Sequence, residues 1–176
     1  MVAVTNDLAT QHGGMHSKNS VVKFNRPANV TAYGAGDAIS DQDSVSTAVN
    51  ALQFKGVGKS GRLDHALVVM EEDDTVALEL WVFDSEPTGQ ADNAAFTLSA
   101  RDAERLVGVF SFADADKKDG ANIQAYMVTL NAEGTNSHRY ATDDGTLWGL
   151  LVTRSAYTPI SASQFVVSLQ VEGDHS

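Results

Sequence analysis

Gly56-Val57-Gly58-Lys59-Ser60-Gly61 reproduces the G-x-G-x-x-G spacing with which a chain brings backbone N–H groups onto a dinucleotide pyrophosphate. That chemistry needs a strand before the loop and a helix after it. The apolar residues leading to Phe54 suit the strand, and Leu63, Ala66, Leu67 and Met70 have helical spacing. The rest of the chain lacks repeated strand–helix units, so the segment reads as a glycine-rich hairpin loop and no cofactor is expected. Gly58-Lys59-Ser60 also has the ending of a phosphate loop, but Gln53 stands five places before Gly58, where such a loop requires glycine.

Metal chemistry fares no better. Asp114-Ala115-Asp116-Lys117-Lys118-Asp119-Gly120 offers oxygen ligands at the first and third places of a calcium loop. Lys118 then takes the fifth place, Asp119 the glycine position, and Ala125 the place of the bidentate acid, so a solvated turn is expected. Glu71-Glu72-Asp73-Asp74 reads as a strand-end loop, with a weak surface cation site as its functional alternative. His12 and His16 are four apart, but Gly13-Gly14 between them undermines the helix that would align them on a metal. No Gly-x-Ser-x-Gly elbow frames a nucleophilic serine, and the chain has no cysteine. No catalytic residue is assigned.

The elements that would have to position such groups read as strands. Thr75–Asp84 is the clearest, with Val76, Leu78, Leu80 and Val82 alternating against Ala77, Glu79, Trp81 and Phe83. Phe165–Val171 alternates in the same way. Further strands are expected at Val21–Phe24, near Phe54, and over Val109–Phe112, Ile123–Leu130 and Leu147–Thr153, with Leu63–Met70 a strand or a short helix. Val30–Asp43 suits a loop or a strand edge with turns. One helix is expected after Ser99, an N-cap with Asp102 three residues on, ending at Gly108. Trp81, Phe83 and Trp148 read as core, with a ligand platform the lesser alternative. The fold expected is an all-β, antiparallel, jelly-roll-like sandwich over residues 21–176 with that one short helix.

Charge divides the chain unevenly. Twelve Lys and Arg against 23 Asp and Glu give a net charge of −11. Residues 1–26 carry Lys18, Lys23 and Arg26 against Asp7, which is 3 − 1 = +2, so the remainder carries −11 − 2 = −13. An acidic body repels phosphate, so nucleic acid is excluded as a broad-face partner. No apolar run approaches the ~20 residues of a membrane span, so no membrane partner is expected. Residues 1–20 lack a sustained period and read as an N-terminal arm, extended or flexible, able to reach a neighbouring subunit.

Several blocks together resemble the capsid decoration, or cement, proteins and related head proteins of tailed bacteriophages. They are Phe24-Asn25-Arg26-Pro27, Tyr33-Gly34-Ala35-Gly36-Asp37, Leu80 to Thr88, Ala91-Asp92-Asn93-Ala94-Ala95-Phe96, Leu147 to Leu151, and Ala156-Tyr157-Thr158-Pro159. The resemblance covers roughly residues 20–172 and includes no catalytic signature. It implies a non-enzymatic virion protein, made in the host bacterial cytoplasm, that binds the major capsid protein on the outer shell as a homo-oligomer, plausibly a trimer. Phe24, Arg26, Pro27, Asp92, Asn93 and Phe96 are the candidate interface residues, weighed against plain turn and core architecture. Another head–tail or tail component is the nearest alternative. A carbohydrate-binding sandwich that stacks sugars on Trp81, Trp148 or Tyr157 is the alternative from a different class.

Overall fold

A computed structural model describes residues 16–42, 51–72, 75–113, 117–120, 123–129 and 138–173. Its described part is a sandwich of two antiparallel sheets. The first sheet contains β1 (His16–Asn25), β4 (Ser60–Met70), β7 (Lys117–Gly120), β8 (Ile123–Thr129), β9 (Arg139–Ala141) and β11 (Gln164–Gly173). Its order is β1-β11-β4-β8-β7, with β9 continuing the line of β8 along β4. The second contains β2 (Ala38–Ile39), β3 (Leu52–Lys55), β5 (Leu78–Phe83), β6 (Leu106–Phe112) and β10 (Thr146–Thr153). Its order is β2-β10-β5-β6, with β3 beside β2 on the same edge of β10.

Period-two patterning decides which side chains meet. In β11, Phe165, Val167, Leu169 and Val171 are buried, and they face the buried Leu78, Leu80 and Val82 of β5 across one core shared by both sheets. Phe54, Phe110, Phe112, Tyr126 and Leu147 fill the space between. Gly149 is required there by proximity: a Cβ would come within 2.9 Å of Phe54 and 3.0 Å of Leu80.

The structure departs from the sequence reading at several points. β1 begins at His16, so residues 16–20, expected in the arm, are strand; residues 1–15 lie outside the described residues. The Asn19 and Ser17 side chains are held by β11, where the Ser168 hydroxyl donates to Asn19 and the Gln170 amide to Ser17. Residues 60–70 are strand throughout, not helix, because their buried positions alternate apart from a bulge at Asp64 and His65. The Gly56–Lys59 segment is no hairpin; it carries the chain from the second sheet to the first. The helix is one turn, α1 (Ala100–Ala103), capped as expected: the Ser99 hydroxyl accepts the Asp102 N–H at 3.1 Å. Gly108 does not end it but lies within β6, where a Cβ would collide with the His138 ring. The Lys117–Gly120 stretch, expected as a turn, is an edge strand paired with β8; residues 114–116 of that acidic stretch lie outside the described residues.

Candidate functional site

The candidate interface residues are drawn together, but inward. Arg26 follows β1, and its side chain is fully buried against Asp92. Its Nη2 donates to Asp92 Oδ2 at 2.9 Å, its Nη1 to the Ile160 carbonyl at 3.3 Å, and its Nε to the Tyr33 hydroxyl. The Tyr33 hydroxyl donates in turn to Asp92 Oδ1, which also accepts the Ser40 N–H at 3.0 Å. The guanidinium lies 4.7 Å from the Tyr33 ring centroid, and that ring stacks on Tyr157 at 5.0 Å. Four sequence blocks, around residues 26, 33, 92 and 157, therefore converge on one buried polar knot.

Its protonation is fixed by its surroundings. Burial opposes the Arg26 charge, but Tyr33 and Asp92 raise the guanidinium pKa above its ordinary value. Burial drives the Tyr33 hydroxyl far above its usual range, and Asp92 adds to that. Tyr157 is raised in the same direction by burial and then by Glu72. A permanently charged arginine between neutral phenols suits a fastener. Glu72, expected in an exposed acidic loop, is buried and accepts from the Ile160 N–H at 2.8 Å and from the Ser163 hydroxyl. Residues 157–163 are thus held by Arg26 and Glu72 together. Residues 73–74 lie outside the described residues.

The other candidates sit around the knot. Phe24, half-buried on β1, stacks on Phe165 at 5.3 Å. The Pro27 carbonyl accepts the Asn29 N–H at 2.8 Å. Asn93 occupies the left-handed region at φ 59, a conformation asparagine tolerates, and its N–H donates to Ala38. Phe96, half-buried, packs its ring 5.1 Å from that of Trp81. Arg26 and Asp92 are closed off inside the molecule, with side chains 0% and 1% exposed, and do not offer them to a partner. Their role is to tie residues 92–96 to β1 and β2. Sequence reasoning missed Tyr33, Ser40, Glu72 and Tyr157 as members of the knot; each comes from a different loop, and no local spacing links them.

That tie has a second consequence. Residues 84–105 fold back over the outer face of the five-stranded sheet, and Phe96, Leu98 and Leu106 form a small cluster with Trp81, Phe83, Trp148 and Leu150. Trp148 therefore lies in this outer cluster, not in the main core where it was expected. The outer face of the six-stranded sheet differs. Val21 is 50% and Met127 62% exposed, Leu67, Val69, Ala125 and Val166 are half-buried, and none of them joins either apolar cluster.

A cavity of about 510 Å³ opens between β1, β2, β3 and β10. Trp148, Gln53, Gln90 and Asp41 line it, and one Asp41 carboxylate oxygen is buried without a hydrogen-bond partner among the described residues. The Gly56–Lys59 segment is occupied by packing: Tyr140 donates to the Val57 carbonyl at 2.8 Å, and Gly145 sits against Gly58. A strand follows it where a dinucleotide site requires a helix N-terminus, so the dinucleotide reading falls. Among the described residues, no three His, Asp or Glu side chains gather as a metal site. No described helix is long and apolar enough to cross a membrane.

No family model and no curated protein matches the chain. The functional reading therefore rests on the molecule's own surfaces and on the sequence resemblance.

Proposed function

We propose that this chain is a structural, non-enzymatic virion protein that decorates and stabilises the outer surface of a tailed-phage capsid as a homo-oligomer. The observation that carries the reading is the apolar face of the six-stranded sheet, which no described residue covers, backed by a body made rigid through the Arg26 knot. Uncovered apolar area rimmed by polar residues marks an interaction surface. A rigid body with such a surface can add many identical contacts over a shell, so that individually modest affinities sum to firm attachment. Four of the resemblance blocks converge on the knot, where they hold the scaffold and leave contact to the sheets. The major capsid protein is the partner in this reading, and the outer virion surface its location.

Incubating the purified chain with undecorated capsids and pelleting them tests the reading. Saturable co-sedimentation at a fixed copy number per capsid is expected. Capsids that pellet without the chain would overturn it, and labelling at the neck or tail alone would move the protein to a head–tail role.

A carbohydrate-binding module is the second reading, favoured by Trp148 in the 510 Å³ cavity beside Gln53, Gln90 and Asp41. Of the three stacking candidates, Tyr157 is buried on Tyr33 and Trp81 is packed against Phe96, which leaves Trp148. Saturable quenching of tryptophan fluorescence by a glycan, lost in Trp148→Phe, would support it over decoration.

A further inference from the structure

We infer that the cavity between β1, β2, β3 and β10 binds an organic cation, a guanidinium or ammonium group carried on an apolar stem. The inference stands on the cavity alone and is independent of the decoration reading.

The cavity exists because two short strands share one edge of β10. β2 pairs with that edge as far as Ile39 opposite Leu151, and β3 as far as Leu52 opposite Gly149. No described strand pairs with Leu150 on that side, and the cavity opens at this gap, next to β1. Its volume of about 510 Å³ lies within the range that holds small ligands. The buried Ile39, Leu52 and Leu151 make apolar walls, and Val22 and Phe24 of β1 add to them. A ligand that fills the space therefore carries an apolar part.

Charge decides what its other part is. Three of the described lining residues are ionisable: Lys23, Asp41 and Glu86. Lys23 stands between Val22 and Phe24, which pack on the core, so strand alternation turns its exposed side chain to the opposite face. Among the described lining residues, the two carboxylates thus have no cation facing them. One oxygen of Asp41 is buried and has no hydrogen-bond partner among the described residues. Glu86 is exposed and stands at the rim.

A buried carboxylate oxygen without a donor is costly, and folded proteins leave few of them. A ligand that relieves it best brings an N–H donor and a positive charge together. Trp148, half-buried, lines the same cavity, and an indole attracts a cation over its face. The chain's net charge of −11 draws cations toward it and repels anions. A sugar can donate hydroxyls to Asp41 but leaves the carboxylate charge unneutralised, so a cation is the better complement.

Calorimetric titration of the full chain with butylguanidinium tests this, with butylurea as the probe of the same shape and no charge. Saturable binding of one butylguanidinium per chain is expected, at least ~10-fold tighter than butylurea and weakened by salt. Asp41→Asn keeps the shape of the side chain and should weaken binding ~10-fold or more. Glu86→Gln at the exposed rim should weaken it ~2-fold to 3-fold. Asp143→Asn, an exposed acid outside the cavity, should leave it unchanged. Circular dichroism and melting confirm that each variant folds. Butylurea binding as tightly as butylguanidinium, glucose binding more tightly, or no saturation by ~10 mM overturns the inference. So does an Asp41→Asn chain that binds butylguanidinium as well as the Asp143→Asn chain does. A blocked Gly-Arg-Gly peptide separates the sources of the cation: tighter binding than butylguanidinium assigns it to a partner's side chain, and weaker binding to a free small molecule. Capsid pelleting separates the two readings: a chain that coats capsids and ignores butylguanidinium ends this inference alone, and one that binds it through Asp41 and ignores capsids ends the decoration reading alone.

Discussion

Trp81, Phe83 and Leu150 project from the five-stranded sheet much as Val21, Leu67 and Met127 project from the six-stranded sheet, yet among the described residues only the first set is joined by other apolar side chains in a cluster. The covering is residues 84–105, pinned at Asp92 by Arg26 and brought onto the sheet by Phe96 and Leu98. The difference lies in a long excursion between β5 and β6 that is anchored part-way along by the buried Arg26–Asp92 ion pair. Among the described residues, one face is thus buried by the chain's own excursion and the other is not.

The comparison breaks most visibly at the fastener. Arg26→Met leaves Asp92 charged and buried without its cation, and should cost ~3–5 kcal/mol of unfolding free energy in urea titration. The covering should loosen with it, so Trp fluorescence should report early exposure of Trp81. A loss under ~1 kcal/mol would mean that the segment holds itself.

Alkaline pH attacks the same knot. Tyr33 and Tyr157 have folded pKa values raised above the ordinary value of 10, so the folded state keeps protons that the unfolded state releases. Their contribution is complete below pH ~10 and lost above it, at about 1.4 kcal/mol per pH unit for each tyrosine. Denaturant titrations at successive pH values above 10 should give that slope, and Tyr157→Phe should remove its share of it.

Paired truncations sharpen the contrast directly. Phe96→Ala should cost about 2 kcal/mol, since it removes the ring packed against Trp81. Met127→Ala on the open face should change monomer stability by less than ~0.5 kcal/mol, measured at concentrations where the chain is monomeric. Equal losses at both positions would show that the second face is covered after all. The smallest effect should be a gain. Among the described residues the buried Tyr157 hydroxyl has no hydrogen-bond partner, so Tyr157→Phe should raise stability at neutral pH by ~1 kcal/mol.

The regular part of the fold was legible because alternation survives in the sequence. The strand at 78–83, the strand at 164–173 and the Ser99 cap are where side-chain pattern and local chemistry agree. β7 was illegible because Lys117-Lys118-Asp119-Gly120 has no apolar face; its pairing with β8 makes it a strand. Residues 60–70 carried both periods, and the bulge at Asp64 and His65 is what broke the alternation. The candidate site was legible only as a set of blocks. That Arg26 and Asp92 would meet inside the protein depends on contacts across 66 residues of chain, which no spacing within either block records. The bare face was hidden for the same reason: its row Val21, Ser168, Leu67, Met127 draws one residue from each of four distant segments.

The pairing of His16 with Gly173 has a consequence for how the protein is made. β11 lies between β1 and β4, so among the described strands β1 has no sheet neighbour until β11 is made. Every described strand between them must be synthesised before the six-stranded sheet can close, which places this fold among those whose formation waits on distant pairings. During that interval β1 and β4 expose unpaired edges to other nascent chains. Lys18 and Lys23 on β1, and Arg62 and Asp64 on β4, put charge along those waiting edges.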